Sequence, residues 1–117
     1  MFCNYQIDID FCNRSTTLSI FSIKRTEEFN DWLNGIRDGT TKLRLVKRLR
    51  KAMLGNLGDV KPVGDGVFEM REHFGPGWRT YYIQRGSVWV VMLGGGDKST
   101  QTADIAKAVK LAARIEE

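Results

Sequence analysis

The chain has 117 residues, 42% of them hydrophobic, which suffices to bury one core and is too little for two. Lys and Arg total 18 against 14 Asp and Glu, a formal net charge of +4, so a polyanionic partner such as nucleic acid or an acidic polypeptide is favoured. Cys3 and Cys12 form no C-x-x-C pair and His73 is the single histidine, so neither a disulfide framework nor a zinc site is indicated and a multi-histidine metal centre is excluded.

The opening Met1-Phe2-Cys3-Asn4-Tyr5-Gln6-Ile7-Asp8 lacks the basic flank and long apolar run of a secretion signal. No later stretch reaches membrane-spanning length, so no membrane partner is expected and the expected compartment is the reducing cytoplasm. Residues 1 to 17 show no sustained period and are read as an N-terminal extension or mobile arm ahead of one domain over 18 to 117. Leu18-Ser19-Ile20-Phe21-Ser22-Ile23 alternates as a strand does, and Lys24-Arg25-Thr26 closes it. Thr26 suits a helix cap, Glu27 and Glu28 suit the positive first turn, and Phe29, Trp32, Leu33 and Ile36 fall at i, i+3, i+4 and i+7. That short helix breaks near Gly35 or Gly39. A second apolar stripe follows in Leu45, Val46, Leu49, Ala52 and Met53, and its helix ends near Gly55-Asn56.

Gly58, Pro62, Gly64 and Gly66 punctuate a loop, after which residues 67 to 72 alternate as a strand. Beyond His73-Phe74-Gly75-Pro76-Gly77, residues 78 to 84 are rich in the aromatic and branched side chains that strands favour, and Arg85-Gly86 makes a tight turn. Residues 88 to 93 are apolar on both faces, the mark of a central strand covered on two sides. Gly94-Gly95-Gly96 breaks the pattern as a strand-to-helix turn that allows close backbone approach. Ile105, Val109 and Ala112 define a last helix, with residues 99 to 102 offering caps. The predicted order is β-α-α-β-β-β-α, an α+β domain with helices packed on one face of a small, mainly antiparallel sheet.

Two groups of residues could carry chemistry. Lys42, Arg44, Lys47, Arg48, Arg50 and Lys51 put six cations in ten residues, a run that can attract phosphate in a salt-dependent way, dock an acidic polypeptide segment, or simply form a solvated helix face. Glu69, Arg71, His73, Arg79 and Tyr81 cluster in two neighbouring strands and their connection, with Glu69, Arg71 and His73 expected on a shared side. Metal-free RNA cleavage needs a base for the 2′-hydroxyl, an acid for the leaving 5′-oxygen and cations for the charged phosphorane. Glu69 or His73 could serve as acid or base, and Arg71, Arg79 and Lys98 could supply charge. The plainer reading makes Glu69 and Arg71 a cross-strand ion pair and leaves His73 and Tyr81 as loop and core residues. The stretch from Gly94 to Ser99 lacks the G-x-x-x-x-G-K-S/T spacing of a nucleotide phosphate loop, and it presents Lys98 beside the end of the preceding strand.

Taken in order, Gly58-Asp59-Val60-Lys61-Pro62-Val63-Gly64, then Arg71, then Phe74-Gly75-Pro76-Gly77-Trp78-Arg79-Thr80-Tyr81-Tyr82, then Gly95-Gly96-Asp97-Lys98-Ser99-Thr100-Gln101 resemble the motifs of HigB-like killer proteins in the RelE/ParE toxin superfamily. The resemblance covers about residues 18 to 115. It implies a compact toxin neutralised by a helix-turn-helix antitoxin, with operator DNA met only through that complex. HigB-like and RelE-like relatives cut mRNA on the ribosome without a metal or organic cofactor, whereas ParE-like relatives share the fold and inhibit DNA gyrase. Arg79 falls on the family's phosphate-stabilising arginine, Arg71 near a basic position on the preceding strand, and Lys98 on the basic position after the last strand. RelE-like nucleases carry a tyrosine or histidine near the C-terminus and residues 101 to 117 contain neither, which shifts acid and base work to Glu69, His73 or Tyr81 or else points to the gyrase-inhibiting branch.

Overall fold

The computed structural model describes residues 6–7, 22–86 and 89–115. Thr26 caps the first helix as its sequence position suggests, its hydroxyl accepting from the Phe29 amide at 3.1 Å. The same hydroxyl donates to the Met92 carbonyl at 2.9 Å, so one side chain both starts α1 (Glu27–Asn34) and pins it to the sheet. Gly35 ends that helix and Gly39 opens α2 (Gly39–Met53), whose buried stripe is Leu45, Leu49, Ala52 and Met53. The last helix, α3, is Gln101–Arg114.

Among the described residues one six-stranded sheet runs in the order β1-β2-β6-β5-β4-β3. The strands are β1 Gln6–Ile7, β2 Ser22–Arg25, β3 Val60–Gly64, β4 Val67–Arg71, β5 Arg79–Arg85 and β6 Trp89–Gly96. Neighbours are antiparallel except β2 and β6, which run parallel. The fold is α+β with a mainly antiparallel sheet, as expected. The helices, however, occupy both faces and not one. Phe29, Leu33, Leu45 and Leu49 of α1 and α2 pack on Ile23, Met70, Tyr82 and Met92. Ala108 and Ala112 of α3 pack on Val67, Tyr81, Ile83 and Leu93 across the sheet. The two-sided apolar character of residues 90 to 93 demands this cover, and β6 lies between β2 and β5 as a central strand should.

Four further expectations change. The predicted loop around Pro62 is β3, an exposed edge strand that pairs only with β4, where a proline costs no interior ladder bond; the register shifts between Pro62 and Gly64. β2 runs on through Lys24 and Arg25, while the predicted strand start at residues 18 to 21 lies outside the described residues, as do both cysteines and Val88. Gln6–Ile7 pairs with β2, so part of the N-terminal extension belongs to the sheet. Glycines 94 to 96 continue β6, and at Gly95 and Gly96 the lack of a side chain is used directly: a Cβ on Gly95 would stand 2.5 Å from the Trp32 ring and one on Gly96 would collide with the Asp104 carboxylate.

Gly95→Ala should therefore destabilise the fold by about 1–3 kcal/mol through overpacking. Gly94→Ala, where a Cβ meets nothing within 4 Å, should stay within about 0.5 kcal/mol of the parent. Paired urea denaturation curves check both values.

Candidate active site

The antiparallel register aligns two cross-strand rows at one end of the sheet. In the outer row the Asp59 carbonyl accepts from the Arg71 amide at 2.9 Å, Arg71 lies opposite Arg79, and Arg79 lies opposite Gly96. In the inner row Lys61, Glu69, Tyr81 and Gly94 stand opposite one another in turn. With strands about 4.8 Å apart, each row spans about 10 Å from β4 to β6. Helix α3 begins over the Glu69–Tyr81 part of the inner row and buries it, whereas Lys61 at the β3 edge is exposed; in the outer row Arg79 is buried and Asp59 and Arg71, toward β3, are partly open.

Glu69 is fully buried. Its Oε2 accepts from Gln101 Nε2 at 2.7 Å and from the Tyr81 hydroxyl at 3.3 Å, and Arg79 Nε lies 3.9 Å away. A carboxylate so placed needs a cation nearby to remain charged, and Arg79 supplies it. Tyr81 is equally enclosed, and burial, reinforced by the negative charge of Glu69, pushes its phenol up. Of the acid and base candidates only His73 stands at the surface, with 71% of its side chain exposed.

Arg79 is nearly enclosed as well. Its Nη1 donates to the Trp78 carbonyl at 3.3 Å. It lies 3.7 Å from where a side chain on Gly77 would begin, a point also 3.5 Å from the Lys98 Cβ. Gly77, at φ +81°, is thus the spot where the Lys98 stem and the Arg79 guanidinium converge. Lys98 itself is exposed on a short 3-10 turn, Lys98–Thr100. Thr100, within the range expected to cap the last helix, is the N-cap of α3 but makes no side-chain cap bond, and Asp97 caps the 3-10 turn before it, its Oδ1 accepting from the Ser99 amide at 2.8 Å.

Arg71 and His73 meet through a residue that sequence reasoning passed over. Asp59 accepts from Arg71 Nη2 at 3.1 Å on Oδ1 and from His73 Nε2 at 2.6 Å on Oδ2. The Arg71 and His73 donors together hold the Asp59 carboxyl below its ordinary range. Asp59 lay in a predicted loop, and only the β3–β4 register reveals it as the cross-strand neighbour of Arg71.

The basic run on α2 divides. Arg48 is a framework residue: its guanidinium donates to the carbonyls of Arg71, Leu57 and Asp59 and pairs with the Glu72 carboxylate. Arg44 stacks on the Phe74 ring at 4.0 Å. Lys47 and Lys51 are exposed, Arg50 is exposed and has a partner of its own, and Lys42 is half-buried. Arg44, Lys47 and Lys51, at i, i+3 and i+7, form one basic strip that reaches the His73 loop through Phe74. Separately, a groove of about 730 Å³ opens between α1 and α3, lined among others by Asp31, Trp32, Gly95 and Lys107. None of the candidate site residues lines it.

Among the described residues no group of three or more His, Cys, Asp or Glu could hold a metal ion, and no helix is long and apolar enough to cross a membrane. No family model matches the chain and no solved structure matches it. Over 93 residues, 80% of this chain and 94% of the relative, it is 41% identical to an uncharacterized protein of Haemophilus influenzae. The chain belongs to that protein's family. Identity at this level and coverage carries the fold from one member to the other, and carries no activity with it.

Arg48→Ala should cost about 2 kcal/mol in a urea melt, because Glu72 and three carbonyls lose their shared donor. Asp59 gives a pH signature. Its folded-state pKa is depressed, so its contribution is present above the ordinary value of 3.8 and is lost as the pH falls through the lower folded value. The stability deficit of Asp59→Ala should therefore be seen at pH 7 and close in strong acid, as measured by denaturation midpoints across pH.

Proposed function

We propose that this chain is the toxin of a type II toxin–antitoxin pair, a HigB-like member of the RelE/ParE superfamily that cuts mRNA on the ribosome in the cytoplasm. The observation that carries this reading is the outer row. Arg71 lies opposite Arg79, the Lys98 stem approaches Arg79 at Gly77, and the exposed imidazole of His73 is linked to Arg71 through Asp59, beside the basic strip of α2. The motifs quoted for the resemblance support the same reading.

In this reading Lys98 and Arg71 contact the scissile phosphate, and Arg79 contributes charge from just beneath the surface. His73 takes the 2′-hydroxyl proton. The 2′-oxygen then bonds to phosphorus as the 5′-oxygen departs with a proton from solvent, leaving a 2′,3′-cyclic phosphate and a 5′-hydroxyl. Glu69 and Tyr81 hold Arg79 in place and touch no substrate. The strip of Arg44, Lys47 and Lys51 receives further phosphates, so binding weakens with salt. A helix-turn-helix antitoxin encoded beside the toxin would neutralise it and carry the complex to operator DNA.

The enclosure of Glu69, Tyr81 and most of Arg79 favours one rival, a ParE-like protein that inhibits gyrase by contact. Primer extension on a reporter mRNA in a purified translation system separates the two. The nuclease reading expects ribosome-dependent cuts at A-site codons that fall about 100-fold in Arg79→Ala. Lys98→Ala, at an exposed site that leaves the core intact, should lose at least about 10-fold. Intact mRNA at concentrations that arrest growth, together with blocked gyrase supercoiling, would move the assignment to the rival.

A further inference from the structure

We infer that Asp59 is a positioning residue for His73: one carboxylate, braced by Arg71, that fixes the imidazole with its Nδ1 lone pair facing outward. The catalytic consequence rests on the nuclease reading above, whereas the positioning rests on geometry alone.

Both Asp59 oxygens are committed, Oδ2 to His73 and Oδ1 to Arg71. An ionised carboxylate offers no proton, so the 2.6 Å contact requires the ring to donate from Nε2. The neutral imidazole then carries its free lone pair on Nδ1. That is the tautomer a general base needs, and it is set by the hydrogen bond on the other nitrogen. Without Asp59, an imidazole 71% exposed has little else to fix its side-chain torsions, and orientation alone is worth large factors in rate.

The carboxylate is itself held rigidly. The Arg71 amide donates to the Asp59 carbonyl at 2.9 Å and Arg48 Nη2 donates to it at 3.2 Å. Gly58, at φ +70°, lets the chain pass Arg48, whose Nη2 stands 2.8 Å from where any side chain at that position would begin. On the other side of His73, the stacking of Arg44 on Phe74 ties the loop to α2. The site is thus oriented from three elements: α2, the start of β3 and the end of β4.

Two measurements on the full chain test this. His73 is the single histidine, so ring 15N shifts at about pH 8 report one neutral tautomer balance without overlap. The parent should show Nε2–H almost exclusively, and Asp59→Ala should relax toward the weaker Nε2–H bias of a free histidine side chain. In the mRNA assay, Asp59→Ala should lower the maximal cleavage rate at saturating ribosomes by about 10- to 100-fold. The ribosome concentration for half-maximal rate should stay within about twofold, and the substitution should add no further loss in a His73→Ala background. A tautomer balance unchanged by Asp59→Ala overturns the positioning itself, whatever the RNA does. An active parent whose maximal rate ignores Asp59→Ala, or a loss that persists undiminished in the His73→Ala background, overturns its link to catalysis. A parent that shows the tautomer preference but cuts no mRNA removes the nuclease reading and the catalytic link with it, while the tautomer result stands on its own.

Discussion

β6 bears apolar side chains on both faces, Val90 and Met92 on one and Val91 and Leu93 on the other, all buried. A strand of this kind is stable only with strands on both edges and helices on both sides, and the rest of the molecule follows from that demand. β2 and β5 fill the edges, α1 and α2 close one face, and α3 closes the other. Because α3 must begin immediately after β6 to cross back over the sheet, its first turn lies above Glu69 and Tyr81. The polar site is therefore divided by the same helix that completes the core.

That division gives two charged groups of different character. Glu69, Arg79, Tyr81 and Gln101 form an enclosed network in which charge is expensive to separate and any single deletion leaves a buried partner uncompensated. Asp59, Arg71 and His73 form an open one, where water screens the ion pairs and their worth lies in geometry more than in stability. Lys98 and Gly77 lie at the junction, with the enclosed guanidinium on one side and solvent on the other. An anion approaching this end of the sheet would meet the exposed ammonium first and feel the buried guanidinium behind it.

Much of this was legible in the sequence where side-chain period carries the signal. The stripes of α1, α2 and α3, the Thr26 cap and the aromatic run of β5 all announce themselves through residues whose burial is local in cause. What stayed hidden depends on pairing. β3 carries Pro62 at its centre and ends in Gly64, so no strand propensity marks it, and only its register with β4 makes it a strand. The extension of β6 through Gly94, Gly95 and Gly96 was hidden for the opposite reason: glycine at 95 and 96 is there because Trp32 and Asp104 need the space, a fact held by distant residues. Of the residues picked by motif, Arg71 faces Arg79 across β4 and β5 and Lys98 approaches Arg79 at Gly77, whereas Arg48 was grouped with a surface run and proved to be a framework residue. Asp59 was missed because its partners, Arg71 and His73, come 12 and 14 residues later.

The parallel pairing of β2 with β6 also bears on how the chain reaches this structure. The bond from Thr26 to the Leu93 carbonyl joins groups 67 residues apart, whereas β3 through β6 form a meander of near neighbours. Closing the long connection loses chain entropy before any contact repays it. The meander can assemble on its own local contacts, but one edge of β6 stays unpaired until β2 and α1 arrive together. An open edge on the most apolar strand is a template for pairing with another molecule. Thr26, by joining helix start and sheet edge in one side chain, makes the arrival of α1 and the closing of that edge a single event.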